Sequence, residues 1–291
     1  MLLLDKPHGL SSNDALMRAR RLLNADKAGH GGTLDPMATG LLPLMFGEAT
    51  KFADDSLAAD KTYLAELTLG VATDTADAEG RPIAQREVRC DEAQFRAAAA
   101  AFVGEIEQTP PMHSALKRDG KPLYEYARAG IEVERAARRV TIHAIEVLSF
   151  AAPVAVIRVS CSKGTYIRTL AADIGERLGC GAHLSGLRRE RVGALAVADA
   201  ITLPALEALA PAERAARLAP VDALLAGLGG RGLGRARAGG HACRAGAGRP
   251  PHRQCRPPRA RLPCRASARR RPAPRRRPAD PAAPDRHWRS R

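Results

Sequence analysis

One carboxylate stands in a stretch suited to presenting it. Residues 29–43 read Gly29-His30-Gly31-Gly32-Thr33-Leu34-Asp35-Pro36-Met37-Ala38-Thr39-Gly40-Leu41-Leu42-Pro43. Pro36 fixes its own backbone and biases Asp35 towards an extended conformation, while the neighbouring glycines permit a tight path. An ionised carboxylate held on such a loop can act as a nucleophile or a base. Taken alone, however, Asp before Pro among glycines is ordinary turn chemistry. Whether Asp35 does chemistry depends on what other segments bring to it.

Three further groups could serve such a carboxylate. Tyr63 lies in Lys61-Thr62-Tyr63-Leu64-Ala65-Glu66-Leu67-Thr68-Leu69, whose alternation predicts a strand with Tyr63, Ala65, Leu67 and Leu69 on one face. Arg168 follows Cys161-Ser162-Lys163-Gly164-Thr165-Tyr166-Ile167, a turn leading into a helix over 166–178 that Gly179 closes. A planar, permanently charged guanidinium suits a carboxylate that must stay ionised in a dry site, although helix charge patterning alone makes Arg168 a solvated residue. His30 precedes the loop glycines; a lone histidine is more often structural. Asp74, Asp77 and Glu79 with Gly80 fit an EF-hand loop poorly and read as a solvated turn. Cys90, Cys161 and Cys180 show no zinc-site spacing and read as inert thiols.

The elements that must position these groups are interspersed strands and helices. Residues 2–4 form a short strand ending at Asp5-Lys6-Pro7. Ser11 to Asn13 cap a helix running to about Asn24, with Leu16, Ala19, Leu22 and Leu23 at helical spacing. Residues 41–46 resume as a buried strand or helix edge, and 48–57 read as a helix. Asp91 caps a helix through Phe102. Residues 106–139 are irregular and basic, an excursion from the core. Residues 139–149 and 154–160 alternate as paired strands, and 202–218 are helical. Without a strict βαβ rhythm, the expected fold class is α+β, with a mixed, mainly antiparallel central sheet flanked by helices.

Charge divides the chain of 291 residues at about Leu228. Residues 1–228 carry 27 Lys and Arg against 29 Asp and Glu; residues 229–291 carry 19 Arg, no Lys and 2 Asp. The body must therefore bind any nucleic acid through local patches and not through its overall charge. The tail also holds 10 of the 21 prolines and few large apolar residues, so it should be disordered. One reading is an Arg-rich RNA-binding tail. Its Arg, Pro, Ala and Gly bias with stray Cys, His and Trp better fits GC-rich coding sequence read out of frame, a frameshift that replaced a folded domain. No apolar run approaches the roughly 20 residues of a membrane span, and the N-terminus lacks signal-peptide features, so a cytoplasmic location is expected.

Four separated segments agree with one family. They are Lys6-Pro7 with Gly9 and Ser11-Ser12-Asn13; residues 28–40; Asp60-Lys61-Thr62-Tyr63; and residues 162–169 with Gly181-Ala182-His183-Leu184 and Leu187-Arg188-Arg189. In this order the chain resembles the bacterial tRNA pseudouridine-55 synthases, the TruB family, over about residues 2–225, including Ser114-Ala115-Leu116-Lys117 and Tyr124-Glu125-Tyr126-Ala127-Arg128. The resemblance implies a pseudouridine-synthase fold over 1–228 and isomerisation of one uridine in the TΨC loop of tRNA by a flipped-base route, with no cofactor and no metal. It implies Asp35 as the catalytic aspartate, Arg168 as its partner and Tyr63 as the residue stacked on the base. On the substrate side it places His30, which enters the tRNA loop, the pocket residues Tyr166 and Leu187, and Lys6 near the floor as support for the loop. Residues 106–139 would be the insertion that clamps the T-arm, with Lys117, Arg118, Lys121 and Arg128 on phosphates. The enzyme would act as a monomer; a tRNA-folding chaperone is the alternative. The departure is 229–291, where family members usually end in a small, often PUA-type RNA-binding domain.

Overall fold

The computed structural model describes residues 1–114 and 116–220; the expectations for 229–291 lie outside them. Its strands are β1 (Leu2–Lys6), β2 (Ala28–His30), β3 (Thr39–Phe46), β4 (Lys61–Leu69), β5 (Val71–Thr73), β6 (Pro82–Gln85), β7 (Gly104–Gln108), β8 (Lys117–Arg118), β9 (Lys121–Pro122), β10 (Arg138–Ala151), β11 (Val154–Cys161), β12 (Ala182–Val192), β13 (Leu195–Ala196) and β14 (Ile201–Thr202). The helices are α1 (Ser12–Leu22), α2 (Ala53–Ala58), α3 (Glu92–Ala100), α4 (Leu123–Arg128), α5 (Ile167–Arg177), α6 (Leu203–Ala208) and α7 (Pro211–Ala216). None is long and apolar enough to cross a membrane.

The main sheet runs β14-β1-β3-β12-β4-β11-β10-β7, with β2 on β3 and β13 on β12. The β1–β14 and β3–β12 pairs are parallel and the rest antiparallel. This is the mixed, mainly antiparallel sheet expected. β1 and β3 are nearly continuous apolar runs because both of their faces are covered. Leu2, Leu4, Leu42 and Leu44 pack on Ala15, Leu16 and Ala19 of α1 and on Leu203 and Leu206 of α6. Met1, Leu3, Leu41 and Met45 meet Ala49, Val192 and Leu195 on the other face. The second half of the sheet buries Ala65, Leu67, Ile157 and Val159 against Leu170 and Ile174 of α5 and Phe95 of α3.

Several sequence-based expectations need correction. Residues 48–57 are not one helix: a 3₁₀ segment, Gly47–Phe52, precedes α2. The 202–218 region is two helices, each started by a proline at its first turn. The excursion is ordered at its root by β7 and carries a hairpin, β8–β9, that leads into α4. The acidic loop is not a solvated turn: Asp77 is 3% exposed.

Candidate active site

The loop carrying Asp35 is anchored from several directions. Leu34 donates its backbone N–H to Ser12 Oγ at 2.7 Å, and that hydroxyl donates back to the Leu34 carbonyl at 2.9 Å. Gly9 N donates to the Pro36 carbonyl at 2.8 Å. Gly31 N donates to the Pro43 carbonyl at 2.9 Å, closing the loop across its base. Lys6 is fully buried beneath the loop, and its ammonium donates to the carbonyls of Pro7, Leu10 and Pro36. Burial lowers its pKa to about 8, with Asp35 pulling it up. Lys6 is thus a support for the loop and does not line the cavity.

Arg168, in the first turn of α5, is 4% exposed. Its Nε lies 3.0 Å from Asp35 Oδ2 and its Nη1 lies 3.2 Å from Asp77 Oδ2. Nη1 also donates to the Thr75 carbonyl at 3.3 Å, and Nη2 to the His113 carbonyl at 2.6 Å. A donor-only guanidinium can serve four acceptors in this way, and that fixes where the Asp35 carboxylate points. Asp77 is fixed in turn by the Thr75 hydroxyl and the Glu79 N–H on its Oδ1.

The Asp35 side chain remains 36% exposed towards a cavity of about 500 Å³. Burial pushes its carboxyl above the usual carboxylate range; Arg168 opposes this, Asp77 adds to it, and Lys6 pulls down. Tyr63, Tyr166, Leu187, Arg189, Lys61 and Ser114 line the same cavity. Burial raises the phenol pKa of Tyr63, against the pull of Arg189, and raises that of Tyr166 as well.

Asp35, Tyr63, Arg168, Tyr166 and Leu187 therefore converge as the sequence predicts. His30 stands apart on β2: it is half-buried, its Nδ1 has no partner among the described residues, and burial lowers its pKa. Four positions were not foreseen. Asp77 completes the Arg168 pairing. Gln108, 2% exposed, accepts from Tyr166 N at 3.1 Å and donates to the Tyr166 carbonyl at 3.3 Å, tying β7 to the start of α5. Ser114 puts a buried hydroxyl into the cavity wall from the insertion. Arg189 is 1% exposed and bonds the carbonyls of Gly32, in the loop, and Leu41, in β3. Asp77 and Arg189 are buried charges among partly or fully exposed neighbours, so each reads as surface until a partner is known.

Comparison with known proteins agrees with this geometry. Residues 20–167 match the family model described as TruB family pseudouridylate synthase (N terminal domain), and residues 168–226 match the tRNA pseudouridylate synthase B C-terminal domain. The tRNA pseudouridine synthase B of Burkholderia mallei (strain NCTC 10247) is 68% identical over 225 residues, covering 77% of this chain and 74% of the relative. That of Ralstonia nicotianae is 67% identical over 229 residues, covering 77% and 73%. Among solved structures, a chain of a Cbf5-Nop10-Gar1 complex matches with a TM-score of 0.60 and 31% identity, over 77% of this chain and 60% of that one. A chain of the archaeal box H/ACA sRNP Nop10-Cbf5 complex matches with a TM-score of 0.58 and 28% identity. With two family models over residues 20–226, relatives at 67–68% identity, and a loop aspartate gripped by a helix arginine on a mixed sheet, the chain belongs to the TruB family of pseudouridylate synthases.

Proposed function

We propose that this chain converts the uridine at position 55 of the tRNA TΨC loop to pseudouridine, with Asp35 as the catalytic carboxylate. The reaction breaks the C1′–N1 bond, turns the uracil and joins C1′ to C5. The hydrogen leaving C5 is balanced by one gained at N1, so neither a redox cofactor nor a group donor enters the balance. The uridine must leave its stack to reach a cavity of this size. The observation that carries this reading is the Arg168 guanidinium on Asp35 at the cavity wall. Asp35 must be ionised to act as nucleophile or base, and a cation at 3.0 Å favours that state where burial opposes it.

Tyr63 and Leu187 would flank the uracil, Tyr166 would close the pocket, and His30 would enter the RNA loop where the base departs. Exposed Lys117, Arg118, Lys121 and Arg128 on the insertion would contact T-arm phosphates, giving salt-dependent, shape-led binding. The enzyme would work as a cytoplasmic monomer. For residues 229–291 we propose a frameshift product in place of an RNA-binding domain; resequencing the gene from the source strain tests this, and a confirmed reading frame overturns it.

Incubation with an unmodified tRNA transcript, followed by pseudouridine mapping, tests the function. Product is expected at the T-loop uridine. In Asp35→Asn the rate should fall by roughly 10⁴-fold while tRNA still binds. Retained turnover in that variant would overturn the assignment. Absence of product from the unaltered chain despite binding would favour the folding-chaperone role.

A further inference from the structure

A second arginine in the cavity wall has a different set of partners. Arg189 sits on β12 directly opposite Tyr63 of β4, and its register partner on β3 is Gly40. Its Nε donates to the Leu41 carbonyl at 2.8 Å and its Nη2 to the Gly32 carbonyl at 3.1 Å. These carbonyls lie at the two ends of the loop that carries Asp35. Arg189 and Tyr63 stand side by side across the β12–β4 pair, and both line the cavity. Among the described residues no carboxylate pairs with it, although it is 1% exposed. A buried cation held only by neutral oxygens is expensive, and an apolar residue would normally serve packing better.

The chemistry of the donor decides what this arrangement does. Guanidinium has no acceptor atom, so the Tyr63 hydroxyl cannot donate its proton towards Arg189. The phenol's own proton is then excluded from that side and left for the cavity, which Tyr63 lines. We propose that Arg189 is a positioning residue that locks both ends of the Asp35 loop and aims the Tyr63 hydroxyl at the bound nucleotide. It sets the spacing between the carboxylate and the phenol, the first on the loop before β3 and the second on β4. This inference rests on reading Asp35 and Tyr63 as substrate-facing groups. Consistent with it, the Arg189 charge draws the Tyr63 pKa down against the effect of burial.

The test uses the full chain with Arg189→Lys and Arg189→Met, compared with the unaltered chain, Tyr63→Phe and Asp35→Asn. Single-turnover pseudouridine formation, tRNA affinity and tyrosinate absorbance against pH are measured for each. The Tyr63 signal is the difference between each protein and its Tyr63→Phe counterpart. Arg189→Met should keep tRNA affinity within about threefold and lose about 100-fold in rate, the scale of a misplaced reacting group. Its Tyr63 titration should move to higher pH, because the cation that favours the phenolate is gone. Arg189→Lys keeps the charge but cannot span both carbonyls as the planar fork does, so it should restore the titration more fully than the rate. A folded Arg189→Met with the unaltered rate, or with an unmoved Tyr63 titration, overturns the proposal. If Arg189→Met does not fold, Arg189→Lys decides alone: slowed turnover at unchanged tRNA affinity supports the proposal, and full turnover overturns it. The titration does not depend on turnover. Failure of the functional reading would instead show as persistent activity in Asp35→Asn.

Discussion

At the scale of single residues, two aspartates share one arginine and differ in what they can do. Asp77 is 3% exposed and has both oxygens engaged, so it is committed to holding Arg168. Asp35 has one oxygen on Arg168 and the rest of its side chain towards the cavity. Breaking the buried pair with Asp77→Asn should cost about 3 kcal/mol of stability, measurable by denaturant unfolding. Asp35→Asn should cost far less, because its ionised form is already disfavoured. The sign follows from its raised folded pKa: the folded state holds the Asp35 proton more tightly than the unfolded chain does. Ionisation of Asp35 therefore opposes folding at neutral pH, and that opposition fades as pH falls through the raised value. Activity runs the other way, since the ionised form is lost over the same interval. The acid limb of the single-turnover rate should lie above the usual aspartate range. It should move to lower pH in Asp77→Asn, where a neighbouring negative charge is gone. An acid limb that stays in place would mean that a group other than Asp35 sets it.

At the scale of elements, β12 shows what the sequence displayed and what it hid. Asp35, Tyr63 and Arg168 stood out because each sits in a distinctive local stretch: a Gly-Pro loop, an alternating strand and a turn into a helix. β12 carries Arg189 and runs through the middle of the sheet, yet it was not legible as a strand. Register shifts between Leu184 and Gly186 and between Arg189 and Arg191 interrupt its alternation, so buried and open positions fall out of step. Its run Arg188-Arg189-Glu190-Arg191 looks like surface because the acceptors for Arg189 are carbonyls of another element. Asp77 was hidden for a similar reason, since only Arg168, far along the chain, explains its burial. The close approach of β3 and β12 adds a requirement at Gly40, which has φ +100°. A Cβ there would lie 2.3 Å from the Arg189 carbonyl oxygen and 2.7 Å from its nitrogen. Gly40→Ala should therefore destabilise by about 3 kcal/mol, read as a lowered unfolding midpoint. A midpoint equal to that of the unaltered chain would show that β3 and β12 can separate without loss.

At the scale of the molecule, the body of the chain is nearly neutral while its exposed insertion is locally basic, so under the proposed function affinity for RNA and chemistry on it would reside in different parts. The two parts meet at the root of the insertion, where Gln108 bonds the Tyr166 backbone and the His113 carbonyl accepts from Arg168. The insertion thus shares, through the His113 carbonyl, the arginine that orients Asp35. The strand order β3-β12-β4 has a consequence of its own. The Asp35 loop runs into β3 and Tyr63 lies on β4, but these two strands are joined only through a strand synthesised much later. β1 and β3 pair directly, but the place between β3 and β4 belongs to β12, a strand made after all three. Residues 182–192 fill that place and bring Leu187 and Arg189 to the cavity wall. A chain truncated before them would carry its aspartate and tyrosine on strands left unjoined, so the site depends on a segment far along the chain from either.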